Sequence, residues 1–359
     1  MSSERQQMWQ QHFDQWLQPF WQTATPGLCF EVYRSGQLWA DYRGGEHYPY
    51  YDLASLTKVL FTVPAMMLAL EHQLWRSETL VQEVLPWWPH SQTKIVDLLT
   101  HSSGLVWWKP FYQDLIKVPT LAQRWEGLRH ELETSTLIDS PKAVYSDVGF
   151  LSLAFILQAL WKQPLEQIWD RAKDEFALGS NLHWNPSGVE GGGPRHPVSD
   201  YAPTEHCAWR GRRMQGEVHD ENAWALGGLS SHAGLFGHCA DVAKVFLTFR
   251  AAYFDSQHSL HRAVKFFTQR QIPSERGDWA LGFVMPTPGA STSGQYFSST
   301  SVGHTGFTGT SVWWDKDRDL LIVILSNRVY LGREKREFAK LRPLLHDEIV
   351  SLLRRDERN

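Results

Sequence analysis

Tyr51-Asp-Leu-Ala-Ser55-Leu-Thr-Lys58 runs straight into the apolar stretch Val59 to Leu70. A serine and a lysine three positions apart share one face when they occupy the first turn of a helix. A neutral lysine amine can there hydrogen-bond the serine hydroxyl and take its proton. The serine also stands at the helix N-terminus, where unpaired backbone N–H groups and the positive end of the dipole favour developing negative charge. The segment thus offers an activated nucleophile and part of an oxyanion site, two requirements of acyl transfer.

Spacing alone does not single it out, because Ser91-Gln-Thr-Lys94 fits the same pattern. Context separates the two. Ser55 precedes a long apolar helical pattern, whereas Ser91 precedes the short run Ile95-Val-Asp-Leu-Leu99 that ends in His101-Ser-Ser-Gly104.

The chain has 359 residues, more than a typical single domain, so one large unit or two interlocked ones are expected. Hydrophobic residues at 42% and charged residues at 21% are those of a soluble globular protein with a sizeable core. With 35 basic against 39 acidic side chains the formal net charge is -4. That balance argues against nucleic acid or an anionic membrane as main partner. The 18 tryptophans include the pairs Trp87-Trp88, Trp107-Trp108 and Trp313-Trp314; core packing is expected of most, with one or two pairs lining a cleft. Cys29, Cys207 and Cys239 are odd in number and widely spaced and build neither a disulfide framework nor a C-x-x-C metal motif, so buried free thiols are expected. The opening Met-Ser-Ser-Glu-Arg-Gln-Gln leads into an amphipathic stretch without a signal-peptide core, and no window is apolar enough to span a membrane. A cytoplasmic location is the expectation.

Trp9, Phe13, Trp16, Leu17 and Phe20 predict a helix over residues 4–22 that Pro26-Gly27 ends. Leu28 to Tyr33 and Gln37 to Tyr42 flank Arg34-Ser-Gly36 as a β-hairpin. Beyond the Ser55 helix, in which Pro64 is a candidate kink, the chain reads as mainly helical, most clearly over Leu121 to Leu132 and Val148 to Leu160. Residues 181–216 turn irregular, with Asn185-Pro186, Gly191-Gly-Gly-Pro194 and His196-Pro197, as a binding loop or lid would. A helix over Asp241 to Phe249 follows, with Asp241 as its N-cap. Strands are expected at Trp279 to Met285, Thr310 to Trp314 and Leu320 to Leu325, the last two joined by a turn at Asp315-Lys-Asp-Arg-Asp319. A closing helix is expected over Glu334 to Leu353. These elements give an α+β fold: an α/β part at 1–60 and 225–359, with a helical and loop-rich insertion at 61–224.

Two further motifs follow Ser55. Tyr145-Ser-Asp147 stands at a helix entrance, where a phenol and a short polar side chain two residues apart can both enter one cleft. Gly303-His-Thr-Gly306 leads into a strand; its glycines let the backbone approach a ligand, and the N–H after Gly306 is a candidate second oxyanion donor. Tyr50-x-Asp52 matches the second motif as well as Tyr145-Ser-Asp147 does, so the weight lies in the order and gaps of all three.

In that order the motifs resemble those of the serine β-lactamase and penicillin-binding-protein superfamily, and more closely the branch of class C β-lactamases, D-amino-acid peptidases and related esterases. Ser55 and Lys58 match its nucleophile motif, Tyr145-Ser-Asp147 its Tyr-x-Asn motif, and His304-Thr-Gly306 its Lys-Thr-Gly motif. Leu98-Leu-Thr-His-Ser-Ser-Gly-Leu105 also resembles a stretch typical of the branch, which makes the Ser91 match ordinary structure. The resemblance runs from about residue 28 to residue 345. It implies a β-lactamase/transpeptidase-like fold, an antiparallel sheet flanked by N- and C-terminal helices with a mainly helical inserted region.

The resemblance implies a serine hydrolase without cofactor or metal, acting through an acyl-enzyme on an ester or peptide, including one with a D-residue. Ser55 is the nucleophile, Lys58 and Tyr145 share the base and proton-return roles, and the N–H groups of Ser55 and Phe307 hold the oxyanion. Asp147, His304, Thr305, Gly306 and Phe307 are expected at the substrate, a small molecule or peptide. Two departures bear on this. Asp147 replaces an amide with a carboxylate, which favours the charged form of Lys58. His304 replaces a permanent cation that would meet a substrate carboxylate; the resemblance associates this change with esterases and peptidases more than with true β-lactamases. The other reading is a penicillin-binding or sensor-like protein of the same fold with little turnover. His219-Asp-Glu-Asn222 and His232 lack zinc-motif spacing and read as loop-ordering hydrogen bonds. Arg210-Gly-Arg-Arg213 reads as a solvated loop, with contact to an acidic substrate group as the other option.

Overall fold

Strands from the two ends of the chain meet in one sheet. The computed structural model describes residues 3–176, 178–179, 181–187 and 192–358; Met1, Ser2 and Gly191 of the sequence reading lie outside them. Along the chain the strands are β1 (Gly27–Arg34), β2 (Gln37–Gly45), β3 (Tyr51–Asp52), β4 (His183–Trp184), β5 (His206–Cys207), β6 (Arg212–Arg213), β7 (Leu235–Gly237), β8 (Val302–Thr305), β9 (Ser311–Asp315) and β10 (Leu320–Ser326). The main sheet runs β2-β1-β10-β9-β8 and its pairings are antiparallel. A smaller sheet, β3-β7-β4, leads into the Ser55 segment, and β5 pairs with β6.

The main sheet is apolar on both faces because its strands alternate. Leu28, Phe30, Ile322, Ile324 and Trp313 point to one side, where α1 (Ser3–Leu17) and the closing helix supply Trp9, Phe13, Leu345 and Ile349. Cys29, Leu321, Val323, Leu325 and Trp314 point to the other, into the larger core built with the helices between. The Trp313-Trp314 pair is therefore split between two cores, the expected outcome of a period of two.

Those intervening helices are α2 (Val63–Glu71), the short α3 (Val81–Val84), α4 (Ile95–Leu99) and α5 (Tyr112–Leu115), α6 (Leu121–Glu133), α7 (Asp147–Trp161), α8 (Leu165–Glu175) and α9 (Glu221–Ala225). Next come α10 (Cys239–Phe254), α11 (His261–Phe267) and the closing α12 (Glu337–Asp356). Local chemistry sets their starts. Thr120 caps α6 in a reciprocal box with Gln123, and the Ser146 hydroxyl accepts from the Gly149 N–H at the head of α7. No single described helix is long and apolar enough to cross a membrane; α7 and α8, apolar as a pair, bend by 78°. Much of α7 is buried in the larger core.

Some boundaries differ from the sequence reading. The first helix stops at Leu17 and a 3₁₀ turn completes the stretch to Phe20. The α10 helix starts two residues before Asp241, whose carboxylate instead accepts from the His238 N–H at 2.9 Å from inside the first turn. The closing helix begins and ends three residues later than expected. Trp279 to Met285 forms no strand. Gly282 turns it back at φ +81°, so Ala280 bonds Phe283, and Val284 alone pairs with Gly303 at the sheet edge.

Candidate active site

Ser55 sits in a turn between β3 and the helix beginning at Leu56. The turn is fixed from below. The buried Asp52 carboxylate accepts from the N–H groups of Ala54, at 2.8 Å, and His219, at 2.6 Å. Ala54 is held at φ +47°, a left-handed conformation that costs an alanine about 1 kcal/mol or more and that the surroundings must impose. The stretch after Gly306 clamps the same turn: Thr308 donates to the Asp52 carbonyl at 2.7 Å and Thr310 to the Leu53 carbonyl at 3.1 Å. Gly306 has to be glycine, since a Cβ there would lie 2.1 Å from Thr310 Oγ1 and 2.7 Å from the Leu53 oxygen. The N–H groups of Ser55 and Phe307 find no acceptor among the described residues.

Lys58 opens a π turn rather than continuing an α-helix. The Val63 N–H reaches back five residues to the Lys58 carbonyl, and α2 resumes with Pro64 in its first turn. Pro64 has no N–H to give and its ring excludes the preceding-turn carbonyl, so the expected distortion is absorbed as one extra residue in the turn.

The Lys58 side chain is fully buried. Its Nζ lies 3.0 Å from Ser55 Oγ, 2.7 Å from Asp147 Oδ1 and 3.2 Å from the His232 carbonyl. Burial pulls its pKa below the ordinary lysine value, and the Asp147 carboxylate only partly reverses this. The Nζ donates to all three; with one proton lost it would keep two N–H bonds, to Asp147 and His232, and have a lone pair free to take the Ser55 proton.

Tyr145, two residues before α7, donates its hydroxyl to Ser55 Oγ at 2.8 Å. Burial, then the Asp147 charge, pushes its phenol well above the ordinary value, so it stays protonated. Tyr145 and Asp147 thus both reach the Ser55–Lys58 pair, as the motif predicts. Tyr50 and Asp52 do not form a second such motif: Tyr50 stacks on His196 and His238.

His304, expected at the substrate, instead lies behind Tyr145, with ring centroids 6.0 Å apart and 3% of its surface exposed. Its Nδ1–H donates to the Thr305 carbonyl at 2.9 Å, and burial followed by the Lys58 charge pulls its pKa down to about 3. It is a neutral imidazole at physiological pH. Of the third-motif segment His304 to Phe307, Phe307 is the residue in the cleft wall.

The cleft above Ser55 encloses about 200 Å³. Trp107 and Trp108 wall it, stacked with centroids 5.8 Å apart, and Trp107 remains 60% exposed. Phe307 lines the same cleft, stacked on His219. Sequence reasoning missed Arg333, which enters the cleft and pairs with Glu205 and Glu221. It also missed His101, whose ring packs 4.7 Å from that of Tyr145 and whose Nδ1 accepts from the Ser146 N–H; the Leu98–Leu105 stretch was the available signal. His232 and Asp220 are paired at 2.9 Å, and Asp220 caps α9. Burial raises the Asp220 pKa, but His232 and the Ala223 N–H more than offset it and hold the carboxyl well below its usual range. Arg210 lies over Trp209 and donates to the carbonyls of Val218 and His219, and Arg212 pairs with Glu217. None of the arginines from 210 to 213 lines the cleft.

The family model described as Beta-lactamase matches residues 13–345. A "Putative D-alanyl-D-alanine carboxypeptidase" of Escherichia coli K12 is 28% identical over 307 residues, covering 77% of this chain and 69% of that protein. Among solved structures, a beta-lactamase from Sulfitobacter sp. EE-36 superposes with a TM-score of 0.69 at 19% identity, covering 95% of this chain and 96% of the other. A class C beta lactamase from Rhodobacter sphaeroides gives 0.66 at 16% identity, covering 93% and 97%. At such identities the structures speak for the fold, a β-lactamase/transpeptidase-like arrangement of helices and antiparallel sheet.

Proposed function

The chain belongs to the beta-lactamase family, and from that premise we propose that it is a serine hydrolase working through an acyl-enzyme. The observation that carries the proposal is Ser55 Oγ held 3.0 Å from the Lys58 amine and 2.8 Å from the Tyr145 phenol, beside two backbone N–H groups that find no acceptor among the described residues. Ser55 attacks the substrate carbonyl as its proton passes to neutral Lys58. The N–H groups of Ser55 and Phe307 bind the oxygen as it gains charge. Tyr145, protonated and already pointing at the nucleophile, relays a proton to the leaving group. The Tyr145 position is refilled from Lys58, and water then releases the acyl group by the reverse relay.

The raised phenol and lowered amine favour Lys58 over Tyr145 as the group that first takes the proton. The substrate is an ester or a peptide, D-residues included. His304 is buried and neutral, so it supplies no cation for a substrate carboxylate. The aromatic wall of Trp107, Trp108 and Phe307 fits an apolar acyl or leaving group.

A second reading, slow acylation with little turnover, is favoured by one contact: Asp147 at 2.7 Å favours the charged form of Lys58. Turnover of short-chain aryl esters, D-amino-acid amides and a chromogenic cephalosporin across a range of pH separates the readings. A turnover enzyme hydrolyses at least one class repeatedly. A single burst that stops at one equivalent at every pH supports the second reading.

A further inference from the structure

Away from the cleft, a cavity of about 430 Å³ opens at the surface, and both Cys29 and Cys239 line it. Their sulfurs are 3.4 Å apart and unbonded, although 210 positions separate them in sequence. Cys29 lies mid-strand in β1, opposite Arg43 and Leu325. Cys239 is the first residue of α10. They are 8% and 5% exposed, and the cavity they both line opens onto the pair. The remaining thiol, Cys207, is elsewhere in β5 and accepts from Arg210 Nε at 3.1 Å.

We propose that Cys29 and Cys239 form a modification site, a dithiol that a small-molecule disulfide entering this cavity oxidises to an intramolecular disulfide. One cysteine thiolate attacks a sulfur of the oxidant, making a mixed disulfide and expelling one small thiolate. The second cysteine attacks the protein-bound sulfur of that mixed disulfide and expels the other small thiolate. Two protein thiols thereby lose two electrons and two protons, and the oxidant's S–S bond becomes two thiols.

The geometry orders these steps. Burial, then the neighbouring Cys29, pushes the Cys239 thiol well up. The first attack therefore falls to Cys29, the more exposed of the two, and the adjacent Cys239 resolves. Glu31 and Asp41 line the same cavity and oppose a thiolate, Arg43 favours one, and His47 and His238 complete the titratable lining. The rate should therefore climb with pH into the alkaline range. The resulting bond would staple β1 of the main sheet to α10, which follows directly from β7 of the small sheet that carries β3.

The test is oxidised glutathione on the native full-length chain, followed by denaturation, thiol titration and peptide mapping. The expected product is about 2 Da lighter, the two hydrogens lost, with Cys29 and Cys239 in one cross-linked peptide. Cys207 remains as the titratable thiol, and the thermal midpoint rises and returns on reduction, as closing a long loop predicts. Cys29→Ser and Cys239→Ser each abolish the cross-link, and Cys207→Ser preserves it. The wild-type map decides even if a variant misfolds. Three titratable thiols after exposure, a persistent glutathione adduct without cross-link, or a bridge that includes Cys207 would each overturn the proposal.

Discussion

Two serine–lysine pairs in this chain share one spacing and have opposite surroundings. Ser91 and Lys94 are both exposed; Lys94 caps α4, and its N–H donates to Asp97 at 2.8 Å. Ser55 and Lys58 straddle a tight turn into a π segment, with the lysine sealed from water and the serine opening on an aromatic cleft. In the buried pair the Lys58 amine lies 3.0 Å from the Ser55 hydroxyl. Under the proposed mechanism, the difference is the removal of water from the amine, which favours its neutral form, and two N–H groups beside the hydroxyl that find no acceptor among the described residues.

Several substitutions would break or sharpen that contrast. The largest effect is expected from Lys58→Ala, which should lower kcat/KM for a reactive aryl ester by about 10³-fold, the scale of general-base catalysis. Lys94→Ala should leave it within about twofold, as for a surface change. Comparable losses from both would erase the distinction.

Gly306→Ala comes next. Its Cβ would collide with Thr310 Oγ1 and the Leu53 carbonyl, displacing the Phe307 N–H. The expected loss is about 10²-fold in kcat, typical of one oxyanion donor, with the circular-dichroism spectrum retained. Unchanged kcat would remove Phe307 from the oxyanion site.

Asp147→Asn probes the balance on Lys58. The carboxylate raises the lysine pKa against the lowering effect of burial, so removing it should lower that pKa further. The base is the unprotonated amine, and activity rises as pH passes upward through the lysine pKa. The rising limb of the kcat/KM profile should therefore move to lower pH in the variant, with a gain near neutrality. A profile that stays in place would mean that Asp147 does not control the lysine.

The smallest effect is expected from Trp107→Ala. Loss of an exposed aromatic wall should raise KM about fivefold for aryl esters, roughly 1 kcal/mol, and leave kcat nearly unchanged. A fall in kcat instead would place Trp107 at the reacting centre.

Much of this architecture can be read from local sequence. The hairpin of β1 and β2, helices α6 and α7 and the two strands β9 and β10 follow from periodicity and turn chemistry. The motif residues Ser55, Lys58, Tyr145 and Asp147 do converge in space. What escapes is set by distant partners. Ala54 adopts its left-handed φ because Asp52, Thr308 and Thr310 clamp the turn from elsewhere. The π turn depends on Pro64, whose presence is visible but whose remedy is not. Trp279 to Met285 has strand composition, yet Gly282 folds it back on itself. His304 occupies a motif position that suggests the substrate, while burial behind Tyr145 follows from packing that no spacing encodes. Arg333 and the Cys29–Cys239 contact are likewise products of tertiary structure.

The contrast between the two pairs is tested most directly by labelling the native protein with a fluorophosphonate and mapping the adduct by mass spectrometry. A single adduct on the peptide containing Ser55, strongly diminished in Lys58→Ala and absent from the Ser91 peptide, is the predicted result. An adduct on Ser91, or none on Ser55 at any pH up to the stability limit of the fold, would contradict the account.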